Sequence, residues 1–109
     1  MTILISNFIN TALSVNEGFI IYNEIVKIYN RNLSEEIVLD FNGINLFSIL
    51  FFNTIIEHLS KEQKNLMEKV KFINLSSLGK RLYKHSVKNA KVIFDEETSK
   101  IICKLIDES

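Results

Sequence analysis

The sequence predicts a small α/β domain with about four strands in a mainly parallel sheet and about four helices in β-α alternation. Three observations predict it. Two short, nearly continuous apolar runs stand at residues 36–41 and 70–75. Amphipathic stretches at helical spacing separate them. Finally, 109 residues at 47% hydrophobic fit one domain with one modest core. Alternation of this kind favours a parallel sheet with right-handed crossovers.

The first strand is expected at residues 3–9, short and rich in isoleucine. A helix follows. Ser14-Val15-Asn16-Glu17 has the form of a capping box, in which Ser14 bonds first-turn amides and Glu17 reaches back. Phe19, Ile20, Tyr22, Ile25, Val26, Ile28 and Tyr29 then recur at helical spacing, ending near Asn30-Arg31-Asn32. Residues 36–41 (EIVLDF) read as a buried parallel strand ending in Asp-Phe-Asn-Gly. The second helix should start near Ser48 and run through Leu59, as far as Gln63. Ile49, Phe52, Ile56 and Leu59 make one stripe, and Leu50, Phe51 and Ile55 widen it. Residues 70–75 form the third strand. The third helix runs from Ser76 or Ser77 to Asn89, with Leu78, Leu82 and Tyr83 inward and Lys80, Arg81, Lys84 and Lys88 outward. A fourth strand is expected at 91–94. A fourth helix should start at Asp95, where Glu96 and Glu97 suit the positive end of the dipole.

Composition excludes several classes of function. Thirteen Lys and Arg balance thirteen Asp and Glu, which gives no global attraction to nucleic acid or an acidic membrane. The single cysteine, Cys103, excludes an internal disulfide framework and a cysteine-rich zinc site. It reads as a small core residue, and a lone thiol fits a reducing, cytoplasmic setting. Residues 1–10 lack the basic start and long apolar run of a secretory signal. The most apolar stretch, 44–56, contains Asn45, Ser48, Asn53 and Thr54 and falls short of the roughly 20 apolar residues of a membrane span. Neither GxGxxG nor GxxxxGK[ST] occurs, and no GxSxG elbow. His58 and His85 lie on different predicted helices with no second ligand at i+3 or i+4, so no metal site and no cofactor is expected.

Ile37-Val38-Leu39-Asp40-Phe41-Asn42-Gly43-Ile44, followed by Ser48 and an apolar helix, resembles the central motif of STAS domains, the sulfate-transporter and anti-sigma-factor-antagonist domains. That motif reads roughly vlDlsgv-x-x-x-DSSGL. The Asp-Phe form and the first helix look closest to the STAS-like group of unknown function. Val92-Ile93-Phe94-Asp95-Glu96-Glu97 is similar to the family's vf-x-d-x-eeA ending, so the resemblance covers residues 13–107. It implies a non-enzymatic regulatory module that docks on a protein, an ATPase or kinase of the anti-sigma type. It also implies that the start of the second helix and the loop before it face that partner.

In anti-sigma antagonists a serine at the start of this helix is phosphorylated. Aligned through Asp40 and Gly43, Ser48 falls on the aspartate of DSSG, Ile49 and Leu50 on the serines, and Phe51 on the glycine. Neither serine of the pair is kept. Ser48 is therefore either the helix cap or a phosphoacceptor that has taken over the switch; a phosphate there would sit on helix N–H groups. The expected partner-binding residues are Asn45, Ser48, Phe51, Phe52 and Ile55. Phe47, Phe51 and Phe52 exceed what a helix on one sheet face normally buries, which leaves either cover on two sides or an apolar patch. Asp40, Asn42 and Gly43 are expected to shape the loop.

Three further readings stay open. Homodimerisation could use the same apolar surface. A small-ligand-binding or enzymatic domain could use Asp40, Asn42 and Ser48 at the sheet edge. The basic stretch at residues 61–91 could set the orientation of a protein partner or, as a less favoured class, bind nucleic acid through the third helix.

Overall fold

The computed structural model describes residues 1–32, 35–62 and 64–89. The expected fourth strand at 91–94, the helix from Asp95 and Cys103 lie outside the described residues. Within them the order is β1 (Thr2–Leu4), a 3-10 turn (Ile5–Asn7), α1 (Val15–Arg31), β2 (Ile37–Asp40), α2 (Ile49–Glu62), α3 (Lys64–Met67), β3 (Val70–Ile73) and α4 (Ser77–Asn89). The basic helix expected third is thus α4, because the short α3 precedes β3.

The three strands pair in parallel in the order β1-β2-β3. Thr2 sits opposite Val38, and Ile37 opposite Val70. Ile3, Ile37, Leu39, Val70 and Phe72 are buried on one face of this sheet. Their alternates Val38, Asp40, Lys71 and Ile73 are only half-buried. The near-continuous apolar run of β2 therefore does not translate into burial on both faces.

The first strand is shorter than the run of isoleucines suggested. After Leu4 the chain turns: the N–H groups of Phe8 and Ile9 both donate to the Ile5 carbonyl, at 2.9 and 3.2 Å. Ile5 and Ile9 reach the core from this turn and not from a strand.

The start of α1 follows its sequence signature. The Glu17 N–H donates to Ser14 Oγ at 3.1 Å, and the Ser14 N–H donates to Glu17 Oε1 at 3.1 Å. Burial works against the Glu17 charge. Donors from the Thr11 and Ser14 hydroxyls and from the Leu13 and Ser14 amides outweigh it, and hold the carboxyl below its usual range. A lowered folded-state pKa contributes stability that is present above the unfolded value, about 4.3, and is lost as pH falls through the folded value. Thermal melts between about pH 5 and about pH 3 should therefore show a falling melting temperature. Glu17→Gln should flatten that fall and start from a lower value at neutral pH. An equally steep acid slope in the variant would assign the loss to other carboxylates.

One helix dominates the core. Phe51, Phe52, Ile55, Ile56 and Leu59 of α2 are all fully buried. This corrects the expectation that Phe51, Phe52 and Ile55 face a partner. The reason is lateral cover: α1 packs along one side of α2 and α4 along the other. At the α1 contact Gly18 meets Phe51 and Thr54. At the α4 contact the buried Ser86 hydroxyl donates to Asn53 Oδ1. Beneath lies an aromatic cluster in which Phe41 stacks on Phe72 at 5.6 Å and Phe72 meets Tyr83 at 4.4 Å.

On α4 the buried residues are Gly79, Tyr83, Ser86 and Val87. Ser76 caps it, its Oγ accepting the Gly79 N–H at 3.1 Å. The rest of this helix is charged against its own interest. It has no acidic residue, and Lys80 stands in the first turn, where the dipole disfavours a cation. Lys80, Lys84 and Lys88 repel along i, i+4 steps, at about 0.2–0.5 kcal/mol per pair.

Candidate functional site

The carboxyl edge of the parallel sheet gathers the sequence-predicted residues. The β2 strand ends at Asp40, whose Oδ1 accepts the Asn42 N–H and the Asn74 side-chain amide, each at 2.9 Å. Asn74 follows β3 directly and holds a left-handed φ of 59°. One carboxylate thus ties the exits of two adjacent strands. Between Phe41 and Ile44 the chain makes a tight turn, closed by the Ile44 N–H to the Phe41 carbonyl at 3.0 Å. Its third residue is Gly43 at φ 90°, which a residue with a Cβ rarely adopts. Phe41 and Ile44 are buried under the turn, and Asn42, Gly43 and Asn45 are exposed.

Past the turn, the segments leading into α1 and α2 lie side by side. Ala12 and Phe47 form a parallel bridge. The Ala12 N–H donates to the Leu46 carbonyl, and the Ser48 N–H to the Ala12 carbonyl, both at 2.9 Å. The Ser48 hydroxyl donates to the Leu13 carbonyl. Its proton therefore clamps the entry of α2 to the entry of α1. A phosphate on Ser48 would remove that donor and set negative charge against a carbonyl oxygen.

This clamp fixes an apolar ridge that the sequence reading did not isolate. Leu46 is 56% exposed and Leu50 53%; Leu13 and Val15, across the clamp, are 41% and 44% exposed. Leu78, in the first turn of α4, is exposed as well, and its neighbour Gly79 approaches the Phe47 ring that precedes α2. The available signal was phase. Counted around α2, Leu50 falls off the stripe of Ile49, Phe52, Ile56 and Leu59 while its neighbours Phe51 and Ile55 turn inward. Of the residues expected to bind a partner, Asn45 and half-buried Ser48 lie on this ridge; Phe51, Phe52 and Ile55 lie beneath it.

Asp40 and Ser48 do not converge: each serves a different backbone segment. His58, on α2, has Nδ1 2.7 Å from the Thr54 carbonyl and meets Phe19 edge to face with ring centroids 4.7 Å apart, so it packs between α1 and α2. His85 is exposed on α4. Among the described residues no three His, Cys, Asp or Glu side chains come together as metal ligands. A cavity of about 260 Å³ lies elsewhere, between β1 and the second half of α1, lined by residues including Ile3, Phe8, Lys27 and Arg31. No helix among the described residues is long and apolar enough to cross a membrane.

Neither the curated proteins nor the solved structures contain a match to this sequence. A family model described as a STAS-like domain of unknown function matches residues 17–80, from the first turn of α1 into α4. The match spans more than half of the chain, and the chain belongs to that family.

Proposed function

We propose that this STAS-like domain is a non-enzymatic interaction module that docks on a regulatory protein through the ridge where α1 and α2 begin. The observation that carries the reading is the pair Leu46 and Leu50, each more than half exposed beside Ser48. Large apolar side chains on a fixed backbone make good interface anchors, because little entropy is lost on binding. Here the fixing comes from the backbone bridge at Ala12–Phe47 and the Ser48 clamp. The strand-two turn sets the ridge's position, through Asp40 and Gly43.

The family resemblance supports an ATPase or kinase of the anti-sigma type as the class of partner. Ser48 is the residue through which such a partner would act, since losing its hydroxyl proton releases one tie between the two helix entries. The same ridge would serve a second copy of the chain equally well on apolar grounds, and the experiment separates the two.

Tagged wild-type protein and a Leu50→Asp variant are taken through affinity purification and size-exclusion chromatography. The expected result is one stoichiometric protein with the wild type, lost from the variant, whose thermal melt is unchanged because Leu50 faces solvent. Retention of that protein by Leu50→Asp would overturn the assignment of the ridge. A wild-type dimer that Leu50→Asp turns into a monomer would replace the foreign partner by a second copy.

A further inference from the structure

We infer that the exposed face of α4 is a nucleic-acid contact that grips phosphate backbone and reads charge, not sequence. It is separate from the leucine ridge and goes beyond the docking role. The charge of this neutral chain is unevenly placed. Residues 61–91 hold nine of the thirteen Lys and Arg but only two of the thirteen Asp and Glu. The α4 helix carries four of those cations and no acid.

Helical geometry orders them. Lys80, Lys84 and Lys88 follow at i+4, one above another at steps of about 6 Å, with Arg81 and His85 in the adjoining row. Arg81, His85 and Lys88 are exposed, away from the buried face formed by Gly79, Tyr83, Ser86 and Val87, while Lys80 and Lys84 are half-buried along its flank. Among the described residues Lys80, Arg81 and Lys88 make no ion pair. Lys88 suits the negative end of the helix dipole, but Lys80 opposes the positive end, and the lysines repel one another along the row. An external polyanion would relieve both penalties at once.

A phosphate backbone fits the face better than an acidic protein does. Beyond Leu78, α4 exposes no large apolar side chain. Protein interfaces draw their energy from aromatic and aliphatic anchors, and lysine is depleted there. Nucleic-acid interfaces are polar and positive, and contacts to phosphate need only cations and hydrogen-bond donors. Ser77, His85 and Asn89 supply exposed donors along the same helix.

The test is fluorescence anisotropy of the full chain with a fluorescein-labelled DNA duplex of about 20 base pairs. Four cations on phosphate predict a log–log salt slope of about −3 to −4, so affinity should fall roughly a hundredfold between about 50 and about 200 mM salt. A duplex of scrambled sequence should bind equally. Lys80→Glu combined with Lys88→Glu should weaken binding at least about tenfold and cut the slope by about 2. The melt should not drop, because both substitutions place acids at i, i+4 from Lys84. Lys27→Glu on α1 should leave affinity unchanged. Absence of binding at the lower salt would overturn the inference, as would a double variant that binds like wild type or an equal loss in Lys27→Glu. Stronger binding of poly-glutamate than of duplex, at equal charge concentration, would overturn it in favour of an acidic protein surface.

Discussion

Phe52→Ala should remove most of the stability of this domain. The ring is fully buried and sits at the meeting point of every layer. Its centroid lies 5.3 Å from Phe51, 5.8 Å from Phe47, 6.0 Å from Tyr83, 6.3 Å from Phe72 and 6.4 Å from Phe41. Those five rings come from α2, the loop before it, α4, β3 and the end of β2. Truncation leaves a void that none of them can fill alone. Phe72 is held by its stack on Phe41, and Tyr83 by a contact with Phe72. Phe-to-Ala changes in such settings cost about 3–5 kcal/mol. A domain of this size shifts by about 4–8 °C per kcal/mol, so the melting temperature should fall by roughly 15–30 °C. Phe52→Asp should give no cooperative melt at all, since a carboxylate would be buried without a partner. A Phe52→Ala protein melting within a few degrees of wild type would mean that the ring is not central to the core.

That expectation reverses the sequence reading of the same residue, and the reversal shows what a sequence carries. Local signals were legible. The Ser14–Glu17 capping box, the strands β2 and β3 and the Ser76 start of α4 each depend on neighbours within a few positions, and each is found where the spacing put it. The overreach of the first strand has a local cause too: isoleucines favour strands, but Ile5 and Ile9 satisfy the same burial from a turn. The short α3 gave no signal, because four residues are too few to show a period. Phe51 and Phe52 were misplaced for a non-local reason. Their spacing shows that α2 is apolar on more than one side. It does not show that α1 and α4 supply the cover. The exposed ridge was hidden by the same ambiguity, since Leu50 and Phe51 are neighbours in sequence and opposite in environment. The fold, in short, was written in periods, and the surface in tertiary cover.

Gly18→Ala tests that cover directly, and its sign is informative. On an isolated helix, alanine in place of glycine stabilises by about 1 kcal/mol. Here the added methyl would stand 2.8 Å from Thr54 Cβ, 3.0 Å from Thr54 Cγ2 and 3.0 Å from the Phe51 carbonyl oxygen. Two of those atoms cannot retreat without moving α2, since one is backbone and the other is a Cβ. Thr54 is also pinned by rotamer. It is β-branched within a helix, it is buried, and its hydroxyl donates to the Leu50 carbonyl at 2.8 Å. Relief therefore requires α1 and α2 to part, and overpacking of this kind costs about 1–3 kcal/mol. Set against the propensity gain, this leaves a net loss of up to about 2 kcal/mol, so the melting temperature should fall by up to about 15 °C instead of rising. Gly18→Ala with Thr54→Gly should recover part of the loss, because the Cβ at 2.8 Å is gone. No recovery would place the strain on the Phe51 carbonyl instead. The displacement would also be felt at the ridge. Leu13 and Ser48 are joined across the same helix pair, so parting α1 from α2 stretches the clamp that holds Leu46 and Leu50 in place. Partner affinity should then fall in Gly18→Ala at temperatures where the protein is still folded. Full affinity in a protein of lowered melting temperature would show that the ridge does not depend on the close approach of these helices.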